Sequence, residues 1–129
     1  MTKVLIVEDE DLVARMYDKA LKFEGFDVTI ALGGQDGLEK VKTIKPDLVL
    51  LDIMMPEPDG MEVLEKIKTD DEVKDIPVVM LTNLSGKHDA VLAAERGAAD
   101  YWVKSDINIK DLGKMITDII NAKQNPAQA

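Results

Sequence analysis

The sequence predicts an α/β domain, a three-layer sandwich in which five parallel strands alternate with five helices. Three observations carry this. Five short apolar runs recur along the 129 residues. Each pair of runs is separated by a segment whose apolar residues fall at helical intervals. The first, third and fourth runs are almost continuous in Val, Ile, Leu and Met, as strands buried on both faces are. Regular strand–helix alternation implies right-handed crossovers with helices on both faces of one sheet.

The elements follow in order. The first strand spans 4–7. Val13, Met16, Tyr17, Ala20 and Leu21 then mark a helix that Gly25 stops. The second strand spans 28–31. Leu38, Val41 and Ile44 form a shorter helical stripe ending before Pro46. The third strand is 48–51, and after Asp59-Gly60 a third helix carries Met61, Leu64 and Ile67. The fourth strand is 78–81. The Ala-rich segment 86–96 makes a fourth helix, capped by Gly97. The fifth strand is 101–103. Leu112, Met115, Ile116, Ile119 and Ile120 make the clearest amphipathic stripe, which Asn125-Pro126 ends. One domain over 1–123 and a short polar tail over 124–129 are expected.

Composition narrows the chemistry. There is no Cys and a single His, which excludes disulfide frameworks, thiolate chemistry and multi-His metal sites. Sixteen basic residues stand against 25 acidic ones, a net charge of −9, which argues against binding nucleic acid or an anionic membrane. No apolar run approaches the roughly 20 residues of a membrane span. The start, Met1-Thr2-Lys3-Val4, has no signal-peptide layout, so a cytoplasmic location is expected.

The polar residues that follow the strands are the informative ones. Val7 is followed by Glu8-Asp9-Glu10-Asp11, Leu51 by Asp52, Leu81 by Thr82 and Val103 by Lys104. In open parallel sheets, ligands bind at that carboxyl edge, where the strand order reverses. With the order 2-1-3-4-5, Asp9 and Asp52 face one another across the reversal. Carboxylates gathered there repel and raise each other's pKa, which a divalent cation relieves. Hard oxygen ligands that also accept phosphate oxygens suit Mg²⁺. Lys104 offers a point charge for a phosphoryl oxygen, Thr82 a hydroxyl proton, and one of the carboxylates a nucleophile for an acyl phosphate. Phosphoryl transfer needs little beyond in-line positioning and charge neutralisation.

Taken together, Val7-Glu8-Asp9, Leu51-Asp52-Ile53-Met54-Met55-Pro56, Asp59-Gly60, Leu81-Thr82 and Val103-Lys104 resemble a response-regulator receiver domain of the chemotaxis CheY type, from about Lys3 to Ala122. The resemblance implies a flavodoxin-like (βα)5 sandwich of strand order 2-1-3-4-5. It implies that Asp52 is the phosphoacceptor, and that Glu8, Asp9, Asp52 and the backbone carbonyl of Met54 hold Mg²⁺. Lys104 then contacts the phosphoryl group, Thr82 is the switch hydroxyl, and Tyr101 is the aromatic switch on the surface of the fourth helix, fifth strand and fifth helix. A histidine kinase or phosphotransfer protein donates the phosphoryl group, and a downstream protein reads that surface. Such a domain modifies itself and turns over no outside substrate.

The sequence departs from the family pattern around the site. Ser105 stands where a cis-proline is usual, and Asn83 where a small residue is usual. A non-proline cis bond costs roughly 2.5–4 kcal/mol, so a trans Lys104–Ser105 bond is expected. Met54 and Leu84 occupy positions that tune acyl-phosphate lifetime in the family, and neither orients water, so slow self-dephosphorylation is expected. Lys104 is expected to pair with Asp9 or Asp52 at rest, Asp11 to cap the first helix, and Glu10 and His88 to be solvated. Tyr101 and Trp102 should point to opposite faces of an edge strand.

Three other readings compete. A pseudo-receiver would keep the fold and lose the chemistry. A flavodoxin-like cofactor binder needs a Gly/Ser/Thr-rich loop after the first strand, where this chain has Glu-Asp-Glu-Asp. A metal-dependent phosphohydrolase places a second Asp two residues after the nucleophile, where Met54 stands.

Overall fold

The computed structural model describes residues 1–124. Its elements are β1 (Lys3–Val7), α1 (Asp11–Phe23), β2 (Asp27–Ala31), α2 (Gly34–Ile44), β3 (Leu48–Leu51), α3 (Gly60–Lys68), β4 (Val78–Thr82), α4 (Lys87–Glu95), β5 (Asp100–Val103) and α5 (Leu112–Gln124). The strands form one parallel sheet in the order β2-β1-β3-β4-β5. Strand order reverses between β1 and β3, where Val7 lies opposite Leu51.

Alternation along the strands divides the core in two. Leu5, Val7, Val49, Leu51, Val78 and Met80 face α2, α3 and α4, packing with Val41, Leu64, Ile67 and Ala93. Val4, Ile6, Leu48, Leu50, Val79 and Leu81 face α1 and α5, packing with Tyr17, Leu21, Leu112 and Ile116. Each such side chain stabilises the fold by about 1.5–3 kcal/mol through burial. Tyr101 packs on the first side and Trp102 on the second, as period-two geometry requires of neighbours in the edge strand β5.

The boundaries differ from the expected ones where polar residues join a ladder. Lys3, Asp27 and Asp100 extend their strands at the amino end, and Thr82 closes β4 rather than following it. Apolar runs cannot show this, since an edge polar residue pairs its backbone as well as any other. Asp11 does not cap α1. Glu10 holds the cap position without a side-chain bond, and Asp11 pairs with Arg15 in the first turn at 2.9 Å. Asp59 does cap α3, accepting from the Glu62 amide at 3.0 Å, worth about 1 kcal/mol. Among the described residues the one cis peptide is Glu57–Pro58, so Lys104–Ser105 is trans. α5 includes Gln124, placed in the tail by sequence, while the stop at Asn125-Pro126 and the remaining tail lie outside the described residues.

Candidate functional site

The site is built at the carboxyl edge from the ends of four strands. Glu8, Asp52 and Thr82 follow buried apolar runs that fix their backbone, and Lys104 follows the half-buried strand β5. Glu8 follows β1, and its amide donates to the Ala31 carbonyl of β2 at 3.0 Å. Asp52 follows β3, and its amide donates to the Val7 carbonyl at 3.1 Å. The reversal point is thereby stitched from both sides. Both carboxylates are carried under cover, Glu8 to 2% exposure and Asp52 to 6%.

Two buried carboxylates need compensation, and Lys104 supplies it. Its ammonium, at the end of β5, donates to Glu8 Oε1 and to Asp52 Oδ2, the latter at 3.1 Å. The other oxygens are also engaged. Glu8 Oε2 accepts from the Glu10 amide at 3.2 Å, and Asp52 Oδ1 from the Met54 amide at 3.3 Å. Beneath them lies a cavity of about 10 Å³ lined by Tyr17, Leu50 and Leu81 along with the three charged residues, about the size of one water.

Burial raises the Glu8 carboxyl above its ordinary range; the Lys104 hydrogen bond opposes this and the charge of Asp52 adds to it. Burial works against the charge on Lys104, but Glu8 and Asp52 together outweigh it, so the ammonium is held above its ordinary value. Lys104 is therefore a firm cation facing an excess of acid.

Glu8, Asp9 and Asp52 each offer a carboxylate oxygen, all within 4.8 Å of one another. Three hard oxygen donors at that spacing, with Asp9 the least covered, fit a divalent cation of the Mg²⁺ type. Of the two expected resting partners of Lys104, Asp52 is the one it meets, and its other partner is Glu8 rather than Asp9. Adjacent acids look alike in sequence. The difference is which one points inward from the strand.

Thr82 ends β4 fully buried, paired in register with Val103, so it stands next to Lys104 in the neighbouring strand. Its hydroxyl accepts from the Leu84 amide at 3.3 Å. The Leu84 carbonyl in turn accepts from the Tyr101 hydroxyl at 2.6 Å. Thr82 and Tyr101 are thus joined through the backbone of one residue, Leu84, in the loop between β4 and α4. Leu84 drew attention in the sequence as an apolar side chain. The contribution seen here is made by its backbone, for which sequence gives no signal. Asn83 and Met54 are exposed at the mouth, and His88 and Glu10 are solvated as expected.

A doubly wound sheet with acids, a hydroxyl and a lysine at one carboxyl edge is the layout of a receiver domain. The response regulator receiver domain model matches residues 4–117, and the chain belongs to that family. The response regulator ArlR of Staphylococcus saprophyticus is 40% identical over 104 residues, covering 81% of this chain and 46% of the relative. The chain thus spans about half the length of that curated relative. The crystal structure of a CheY-like receiver domain protein from Methanospirillum hungatei aligns with a TM-score of 0.89 at 28% identity, covering 98% of each chain. The Mn²⁺-bound form of response regulator Rcp1 aligns at 0.76 and 32% identity, covering 92% of this chain and 91% of that one. No helix among the described residues is long and apolar enough to cross a membrane.

Proposed function

We propose that this chain is a phospho-acceptor receiver of a two-component system, cytoplasmic, taking its phosphoryl group from a histidine kinase or phosphotransfer protein. The observation that carries the reading is the Lys104 ammonium held between Glu8 and Asp52, with Asp9 alongside.

An oxygen of Asp52 attacks the donor's phosphorus in line. The bond from phosphorus to the donor atom breaks with its electron pair, leaving an acyl phosphate on Asp52. Lys104 already touches Asp52 and follows the charge onto a phosphoryl oxygen. Glu8, Asp9, Asp52 and the backbone carbonyl of Met54 would hold Mg²⁺, which supplies charge neutralisation for the incoming group. Thr82 donates its hydroxyl to a second phosphoryl oxygen. That turn costs its bond from the Leu84 amide, and the disturbed loop releases or redirects Tyr101, altering the α4-β5-α5 surface that a downstream protein reads. Support for this last step is the shared Leu84 backbone.

The test is the intact mass after incubation with a small acyl phosphate, with and without Mg²⁺. One added phosphoryl group, absent without Mg²⁺ and absent in Asp52→Asn, is the expected result. An adduct that persists in Asp52→Asn, or none from either an acyl phosphate or a phosphorylated kinase, contradicts it and leaves a pseudo-receiver.

A further inference from the structure

The loop that follows Asp52 is clasped at two points where no side chain fits. Gly60, the first residue of α3, lies against the chain at Asp52 itself. A Cβ there would sit 2.1 Å from the Asp52 carbonyl oxygen and 2.5 Å from Ile53 Cα. The Gly60 amide also donates to the Ile53 carbonyl at 3.0 Å, closing the loop on its own base. Gly34, the first residue of α2, meets the far side of the same loop. A Cβ there would lie 2.1 Å from the Pro58 carbonyl oxygen, with the Pro58 ring and Val63 each at 2.9 Å. The contacts that matter are backbone to backbone, which cannot yield as a flexible side chain does.

From this geometry we infer that Gly34 and Gly60 are positioning residues: their missing side chains let the N-termini of α2 and α3 close on the segment 52–59 and set Asp52 and the Met54 backbone against Glu8 and Asp9. Neither glycine touches a reacting group. Gly60 acts on Asp52 through the carbonyl it abuts. Gly34 acts through Pro58 on the loop whose Met54 amide holds Asp52 Oδ1. Gly86 makes the contrast, because a Cβ there finds nothing nearer than 3.5 Å. Of the four glycines that open helices or immediately precede them, Gly33 and Gly86 are open while Gly34 and Gly60 are closed seats, and both seats face one loop. The inference rests on the proposed function for its purpose, but its geometry stands apart from phosphoryl chemistry.

The experiment compares Gly34→Ala, Gly60→Ala and Gly86→Ala in the full chain. Two quantities are read in each: the amide resonances of Asp52 and Met54 without metal, and the affinity for Mg²⁺ by titration. Gly34→Ala and Gly60→Ala are expected to displace both resonances and weaken Mg²⁺ by about tenfold, the usual effect of disturbing groups that orient metal ligands. Gly86→Ala is expected to leave both unchanged. Where an alanine variant fails to fold, Pro58→Gly keeps the clasped carbonyl but frees the backbone that carries it, and should weaken Mg²⁺ with the fold intact. A folded Gly34→Ala or Pro58→Gly with unmoved Asp52 and Met54 resonances and unchanged Mg²⁺ affinity overturns the inference. Failure of the wild type to take up a phosphoryl group bears on the proposed function alone, since the resonances of the metal-free protein still report the positioning.

Discussion

Lys104 donates to Glu8, 96 residues away in the chain, while its second bond goes to Asp52. Three strands' ends meet at that ammonium. One cation thus answers two buried acids, with Asp9 close by as a third. The site is under-compensated as it stands, and this imbalance makes it receptive to a divalent cation.

The imbalance sets opposite outcomes for two neutralising substitutions. Asp52→Asn removes one acid and leaves the Lys104–Glu8 pair whole, so the metal-free domain should gain on the order of 1 kcal/mol. Lys104→Met strips the only cation from buried Glu8 and Asp52, and should cost about 3–5 kcal/mol. Mg²⁺ should raise the melting temperature of the wild type by mass action, and should recover part of what Lys104→Met loses. Denaturant titrations with and without Mg²⁺ measure all three.

The pH dependence follows from Glu8. Its folded value is raised above the ordinary 4.5 by burial, with the charge of Asp52 adding to it. In the window between those values the folded state binds more protons than the unfolded chain. The stability contributed by protonated Glu8 is therefore present below the ordinary value and lost as pH rises through the raised one. The gain from Asp52→Asn should accordingly be seen at pH 7 and shrink toward pH 4. Unfolding curves at the two pH values check it.

Tyr101 and Thr82 meet at Leu84, so Tyr101→Phe should loosen that loop. Losing the 2.6 Å bond to the Leu84 carbonyl should cost about 1 kcal/mol. Hydrogen exchange at Leu84 and its neighbours should quicken, with little change in the central strands. Unchanged exchange there would show that the hydroxyl does not hold the loop.

Far from the site, Lys68 of α3 donates to the Lys74 carbonyl at 3.0 Å and the Ile76 carbonyl at 2.7 Å, tying down the approach to β4. Burial holds its ammonium below the ordinary value, with the charge of Lys123 adding. The unfolded chain then binds more protons over that range, so stability rises with pH from the lowered value toward 10.5. Lys68→Met should lose about 1–3 kcal/mol through the two abandoned carbonyls and should also lose the alkaline rise.

The layout of these elements was readable from the chain. Strands buried on both faces announce themselves, as 48–51 does, and each leads into a polar residue that the topology carries to one edge. Asp52, Thr82 and Lys104 could be placed for that reason. What stayed hidden is set by direction and by absence. Glu8 and Asp9 are equivalent in sequence, and only the pleat decides which one Lys104 meets. The Leu84 backbone acts through atoms every residue has. Gly34 and Gly60 matter for a Cβ they lack, which composition does not reveal. Asp11 resembled a cap because acids favour helix starts generally, yet α1 begins one residue earlier than that reading needs, at Asp11 itself.

Phosphate lifetime follows from the exposed Met54 and half-covered Leu84 at the mouth. Neither orients an attacking water, so the acyl phosphate should be long-lived. Met54→Asn or Leu84→Glu should shorten it several-fold, measured by decay of the phosphorylated mass.

The most direct measurement locates the phosphoryl group. After treatment with a small acyl phosphate and Mg²⁺, borohydride reduces an aspartyl phosphate to homoserine, and peptide mass spectrometry reads the position. Conversion at Asp52 alone, dependent on Mg²⁺, is the predicted result. Conversion at Asp9 or another carboxylate, with Asp52 unmodified, would contradict the assignment of Asp52 as acceptor.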